Sequence, residues 1–206
     1  MSLINRAFKY VLLTSAKYNI DESHSVKHSI EVLNFANKIY KSELSNNPYL
    51  NKQYDIICMA AILHDMCDKK YMNEEQGIYE MKSHMNNYIS VDNLDIIAHI
   101  IQTMSYSTVR LKGYPQLGIY QLAYHIVREA DLLAAYDIDR CVMYSMYCYN
   151  IEYSKALNIA TELFDNRVFR MRHDKLFKTK YSKKESLKLH KKATIDVESL
   201  KNIYNL

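Results

Sequence analysis

Three glycines and two prolines in 206 residues leave few places for the tight turns that an all-β or dinucleotide-binding chain of this size needs. An all-α fold is the expectation. Cysteine is sparse too: Cys58, Cys67, Cys141 and Cys148 fall inside apolar or helical patterns, with no CxxC pair and no framework of short spacings. That excludes a disulfide scaffold and predicts reduced thiols. No run approaches the roughly 18 apolar residues that a spanning helix takes. Tyr10 to Leu13, flanked by Lys9 and Lys17, is too brief for a signal-peptide core. A cytoplasmic location with no membrane partner is expected.

What is present is a composition that can bury a core: 49% of residues are hydrophobic and 24% charged. That predicts one domain over residues 1–206, a helical bundle with its core at about 20–140 and C-terminal helices over 141–206 packing on it. Helical spacing predicts helices over Leu3 to Lys17, from Asp21-Glu22-Ser23 as a capping segment through about Leu44, and over Asn51 to Met66. Others are expected at Glu74 to Asn87, Asp92 to Met104, Ile119 to Tyr136, Arg140 to Asn150, Tyr153 to Met171 and Lys183 to Ile203. Tyr106 to Gly118 reads as a loop.

One dipeptide stands out against this background. His64-Asp65 lies where the nearly continuous apolar segment Ile56 to Leu63 ends, and burying that pair without a counter-charge is expensive. His28 lies on the stripe of Val32, Phe35, Ala36 and Ile39, so its imidazole is expected to project into the core. Asp131 sits among Val127, Ala134 and Ala135, a poor place for a lone carboxylate. Two imidazoles and two carboxylates, each on an apolar helical pattern, form a ligand set suited to one divalent cation: manganese, magnesium, iron, cobalt, nickel or zinc.

The order His28, His64-Asp65, Asp131 resembles the signature of the HD-domain metal-dependent phosphohydrolases. The local text, with Asp21-Glu22-Ser23-His24, then His28 in HSIEVLNFA, then AAILHDMCDKKY, IIQTMSYS and READLLAAYDIDR, resembles the small single-domain branch that includes nucleoside triphosphate pyrophosphohydrolases. The resemblance covers about residues 20 to 140. It implies a helical bundle holding one divalent ion through His28, His64, Asp65 and Asp131. It also implies that Asp68 and Asp65 are catalytic, that Lys70 contacts a substrate phosphate, and that His24, Arg128 and Arg140 bind substrate. The implied reaction is hydrolysis of a phosphate ester or phosphoanhydride of a nucleotide, with pyrophosphate release first and monophosphate dephosphorylation second.

Other readings stay beside this one. His84, His99 and His125 each read more simply as satisfied core histidines than as ligands of a second ion, and Gln102 stands where a two-metal relative would place a histidine. Asp68 and Lys70 also read as a solvated pair. Much of the +4 net charge lies in the C-terminal lysines, which read as a solvated face or a nucleic-acid contact. A different class of function, a metal- and nucleotide-binding sensor without turnover, fits the same ligand set.

Overall fold

Polar caps do the work that glycine does in most helical proteins. The computed structural model describes residues 1–204, all of it helix and connecting turns, with no strand among them. Helices α1 (Leu3–Tyr18), α4 (Glu74–Met85), α5 (Val91–Thr103) and α6 (Tyr106–Lys112) each begin behind a Ser or Asn whose side chain accepts a free backbone N–H of the first turn. Asn19 and Asn150 adopt the left-handed conformation at helix ends, with φ of 51° and 50°. Asparagine tolerates that region better than most side chains.

The centre of the bundle is α3 (Tyr54–Leu63), in which every residue from Ile56 to Leu63 is buried. An apolar surface on all sides requires neighbours on all sides. They are α1, α2 (Val26–Leu44), α5 and α7 (Gln121–Ala134), and α2 also packs along α7. Helices α8 (Ile138–Tyr149) and α9 (Tyr153–Leu163) pair with one another, and α10 (Lys180–Tyr204) closes over α2 and α7. Helix α10 inserts Ala193 and Val197 into the core, while Lys183, Lys184, Lys188, Lys191 and Lys192 are exposed.

Four local expectations are corrected. The supposed loop after Tyr106 begins with α6, capped by Ser105, and the true turn is 113–117 between the positive-φ glycines Gly113 and Gly118. The helix expected from Asp21 starts at Val26, because residues 22–25 form turns. Asp21 organises those turns instead, accepting the Ser23 amide at 2.9 Å and the Tyr71 hydroxyl at 2.6 Å. Residues 48–53 form a 3₁₀ segment ahead of α3. The helix expected over Tyr153 to Met171 stops at Leu163 and passes into a single π-helical turn, Phe164–Val168.

Candidate metal centre

Three mutually packed helices bring distant residues to one point. His28 lies in the first turn of α2, His64 is the residue that ends α3, Asp65 follows it, and Asp131 lies near the end of α7. The Nε2 atoms of His28 and His64 are 3.1 Å apart. Asp65 Oδ2 lies 3.4 Å from the first and 3.2 Å from the second. Asp131 Oδ1 lies 3.4 and 3.7 Å from the same two nitrogens.

That spacing suits a metal ion. Ligand atoms about 2.1 Å from a shared ion sit roughly 3.0–3.4 Å apart in octahedral or tetrahedral shells. The buried group His28, His64 and Asp65 could hold one. Asp65 Oδ2 is buried with no hydrogen-bond partner, an expensive condition unless something else satisfies it. His64 Nδ1 lies 3.0 Å from the Ala61 carbonyl. A carbonyl only accepts, so Nδ1 carries a proton and Nε2 is the nitrogen that faces the carboxylates, where a bound ion would take the place of a proton.

The electrostatics agree. Burial acts to lower His64, yet the Asp65 and Asp131 carboxylates raise its pKa to about 9. Burial and then the Arg140 guanidinium lower His28. Asp65 and Asp131 are held below the usual carboxylate range in spite of burial, chiefly by His64 and His28 respectively. Such a nest of carboxylates is a cation site in charge as well as in shape.

Around the cluster stands a polar rim. The Asp68 carboxylate accepts the Lys70 amide at 2.9 Å and lies 3.3 Å from Lys70 Nζ. Lys70 Nζ donates to His24 Nε2 at 3.1 Å and stands 5.3 Å from the Tyr144 ring centre. His24 is thereby neutral, its pKa pulled down to about 3 by burial first, with Lys70 and Arg140 adding to it against the opposing pull of Asp65. Its Nδ1 faces Ser23 Oγ at 2.6 Å and Tyr71 Oη at 3.0 Å. Arg140 donates to the Ser23 carbonyl at 3.3 Å and to His28 Nε2 at 3.0 Å.

These groups face a cavity of about 410 Å³ that reaches from Asp65 and Asp131 to the α8–α9 pair. His24, Asp68, Lys70 and Arg140 all line it. Arg128 does not. It is fully buried, donates to the Leu176 carbonyl at 3.1 Å and lies over Tyr114. Its expected role as a phosphate ligand is withdrawn, because it joins α7 to the C-terminal segment.

His99 is exposed rather than in the core, while His84 packs on Tyr10 and His125 on Tyr114 and Tyr124. Gln102 lines a smaller cavity beside His64, Asp65 and Asp131.

Sequence reasoning missed the far wall entirely. Tyr106, Cys141, Tyr144, Leu163 and Arg167 line the same cavity. No pattern marked them, since Tyr144 is one of 19 tyrosines and Arg167 lies in a π-helical turn that breaks the helical period.

No protein-family model matches this chain, and no curated protein does. A solved structure matches it: a Lactobacillus plantarum protein, a Northeast Structural Genomics target, superposes with a TM-score of 0.74 at 19% identity. The match covers 98% of this chain and 96% of that one. The fold is shared. At that identity the likeness carries no activity with it.

Proposed function

We propose that the chain is a metal-dependent phosphohydrolase of the HD type, acting on a phosphorylated small molecule and most readily on a nucleotide. One observation carries this reading: the metal-suited cluster and the cationic side chains of Lys70 and Arg140 open onto the same cavity. His28, His64, Asp65 and Asp131 would hold the ion. When bound, a divalent ion acidifies water and offsets charge on a phosphoryl oxygen.

The protein's own groups supply the rest. Asp68 stands on the cavity wall as a proton acceptor and later donor, placed by its Asx-type bond to Lys70 N. Of the three N–H donors of Lys70, one is held by the lone pair of neutral His24, which fixes where Nζ points, and the others can turn to a phosphate. Arg140 presents a planar fork suited to two phosphate oxygens. Tyr144 forms part of the surface against which the remainder of the substrate packs.

The test is a panel of nucleoside tri-, di- and monophosphates with added divalent ions, its products resolved by chromatography. The expected result is pyrophosphate release from a triphosphate, abolished in Asp65→Ala. Lys70→Ala should mainly raise KM. Full activity of Asp65→Ala would contradict the site. Tight nucleotide binding with no turnover under any ion would favour the sensor instead.

A further inference from the structure

The acidic groups of the cavity are already matched. Asp65 and Asp131 face the cluster, and Asp68 is paired with Lys70. Two guanidinium groups remain. Arg140 donates only to neutral acceptors, the Ser23 carbonyl and His28 Nε2. The Arg167 side chain has no hydrogen bond or ion pair among the described residues, and its guanidinium lies over the Tyr106 ring, 4.5 Å from the centre. The Nε atoms of both arginines are buried without a partner. Burial lowers the pKa of Arg167, Asp131 opposes that, and the neighbouring Arg140 adds to it.

Asp131 acts on Arg167 across the cavity, but among the described residues no carboxylate forms a hydrogen bond or ion pair with either guanidinium, and two half-buried like charges so placed favour a ligand that brings further negative charge. Sugar hydroxyls and bases are neutral and do not meet this need. A multiply charged anion does, and two guanidinium forks match phosphoryl oxygens in geometry as well as charge.

We infer that Arg140 and Arg167 form an anion subsite of the cavity, which takes a second phosphoryl group of a di- or triphosphate substrate while the metal cluster faces the first. Ile159 and Leu163, two turns and one turn before Arg167, line the same cavity, so Arg167 continues the cavity-facing side of α9 into the π-helical turn. Phosphoanhydrides are favoured over monophosphates for this reason. Only the assignment of the first phosphoryl to the cluster rests on the phosphohydrolase reading. The anion subsite stands on its own.

The experiment titrates inorganic tripolyphosphate and orthophosphate into the full-length, metal-free chain by calorimetry at two salt concentrations. Arg167→Gln and Arg167→Lys are measured beside the wild type, with thermal unfolding and metal uptake as controls. The wild type should bind tripolyphosphate at least about tenfold more tightly than orthophosphate, more strongly at low salt. Arg167→Gln should lose about tenfold or more in tripolyphosphate affinity, the scale of a lost charge-assisted contact, with metal uptake unchanged. Arg167→Lys keeps the charge without the fork, so its affinity should fall between the two.

Equal affinities for the two anions in the wild type overturn the subsite. So does tripolyphosphate binding that neither substitution changes. If Arg167→Gln does not fold, the lysine variant decides alone. A chain that binds tripolyphosphate through Arg167 yet takes up no metal and hydrolyses nothing upholds the subsite and sinks the phosphohydrolase reading alone.

Discussion

Glu129 is fully buried, and its carboxylate accepts the Lys178 and Thr179 amides at 2.6 and 3.1 Å and the Thr179 hydroxyl at 2.7 Å. It thus fastens the start of α10 to α7, and burial, opposed by those bonds, raises its pKa. Glu129→Ala would leave buried donors unmet. A loss of about 3 kcal/mol or more is expected, read as a lower urea midpoint with an unchanged slope. Glu80 works by surface chemistry instead, accepting Gln76 Nε2 at 2.9 Å, Lys17 Nζ at 2.8 Å and Tyr18 Oη at 2.9 Å. Those donors, Gln76 first, lower its pKa from 4.5 to about 2. A depressed carboxylate contributes stability that is full above the unfolded value and lost as pH falls through the folded one. Wild type should therefore lose stability between pH 4.5 and about 2 more steeply than Glu80→Gln, as followed by thermal unfolding across that range. At this scale the sequence was most legible where burial forbids a lone charge, as at His28, His64 and Asp65, with the half-buried Asp131 brought beside them. Arg128 was placed by the family resemblance instead, and it lies off the cavity because a buried arginine can end at a backbone carbonyl as readily as at a phosphate.

At the level of elements, the turn after α3 is held in place by the close approach of α4. A Cβ on Gly77 would sit 2.8 Å from Met72 Sδ and 3.0 Å from the Cys67 Cα. The methionine sulfur can swing aside, but the Cys67 backbone lies between Asp65 and Asp68 and cannot move without moving them. Alanine gains about 1 kcal/mol of helix propensity, against an overpacking penalty of about 1–3 kcal/mol. Gly77→Ala should thus be no more stable than wild type and should hold its metal more weakly. Unfolding and elemental analysis of the same preparation check both, and a stabilised variant with unchanged metal content would contradict the close approach. The amphipathic helices were readable because their apolar faces repeat. Helix α6 was not, being seven residues long and set among turn formers. The π-helical turn was not either, since it interrupts the period on which such a reading depends.

For the molecule as a whole, packing of α2, α3 and α7 is what turns four scattered side chains into one centre. The Lactobacillus plantarum structure keeps this architecture at 19% identity, as expected when a fold is specified by apolar pattern more than by individual residues. The helical class was therefore visible from the sequence. The cavity was only half visible, because its near wall comes from residues with costly burials and its far wall from α8, α9 and the turn beyond. Folding and metal binding should be linked, since an ion that binds only the assembled cluster stabilises the native state by mass action. Elemental analysis of the purified chain after loading with a divalent ion and removal of excess tests the central claim most directly. The account predicts close to one tightly held ion per chain in the wild type and none in Asp131→Ala. A wild type that retains no ion, or an Asp131→Ala chain that retains as much, would contradict it.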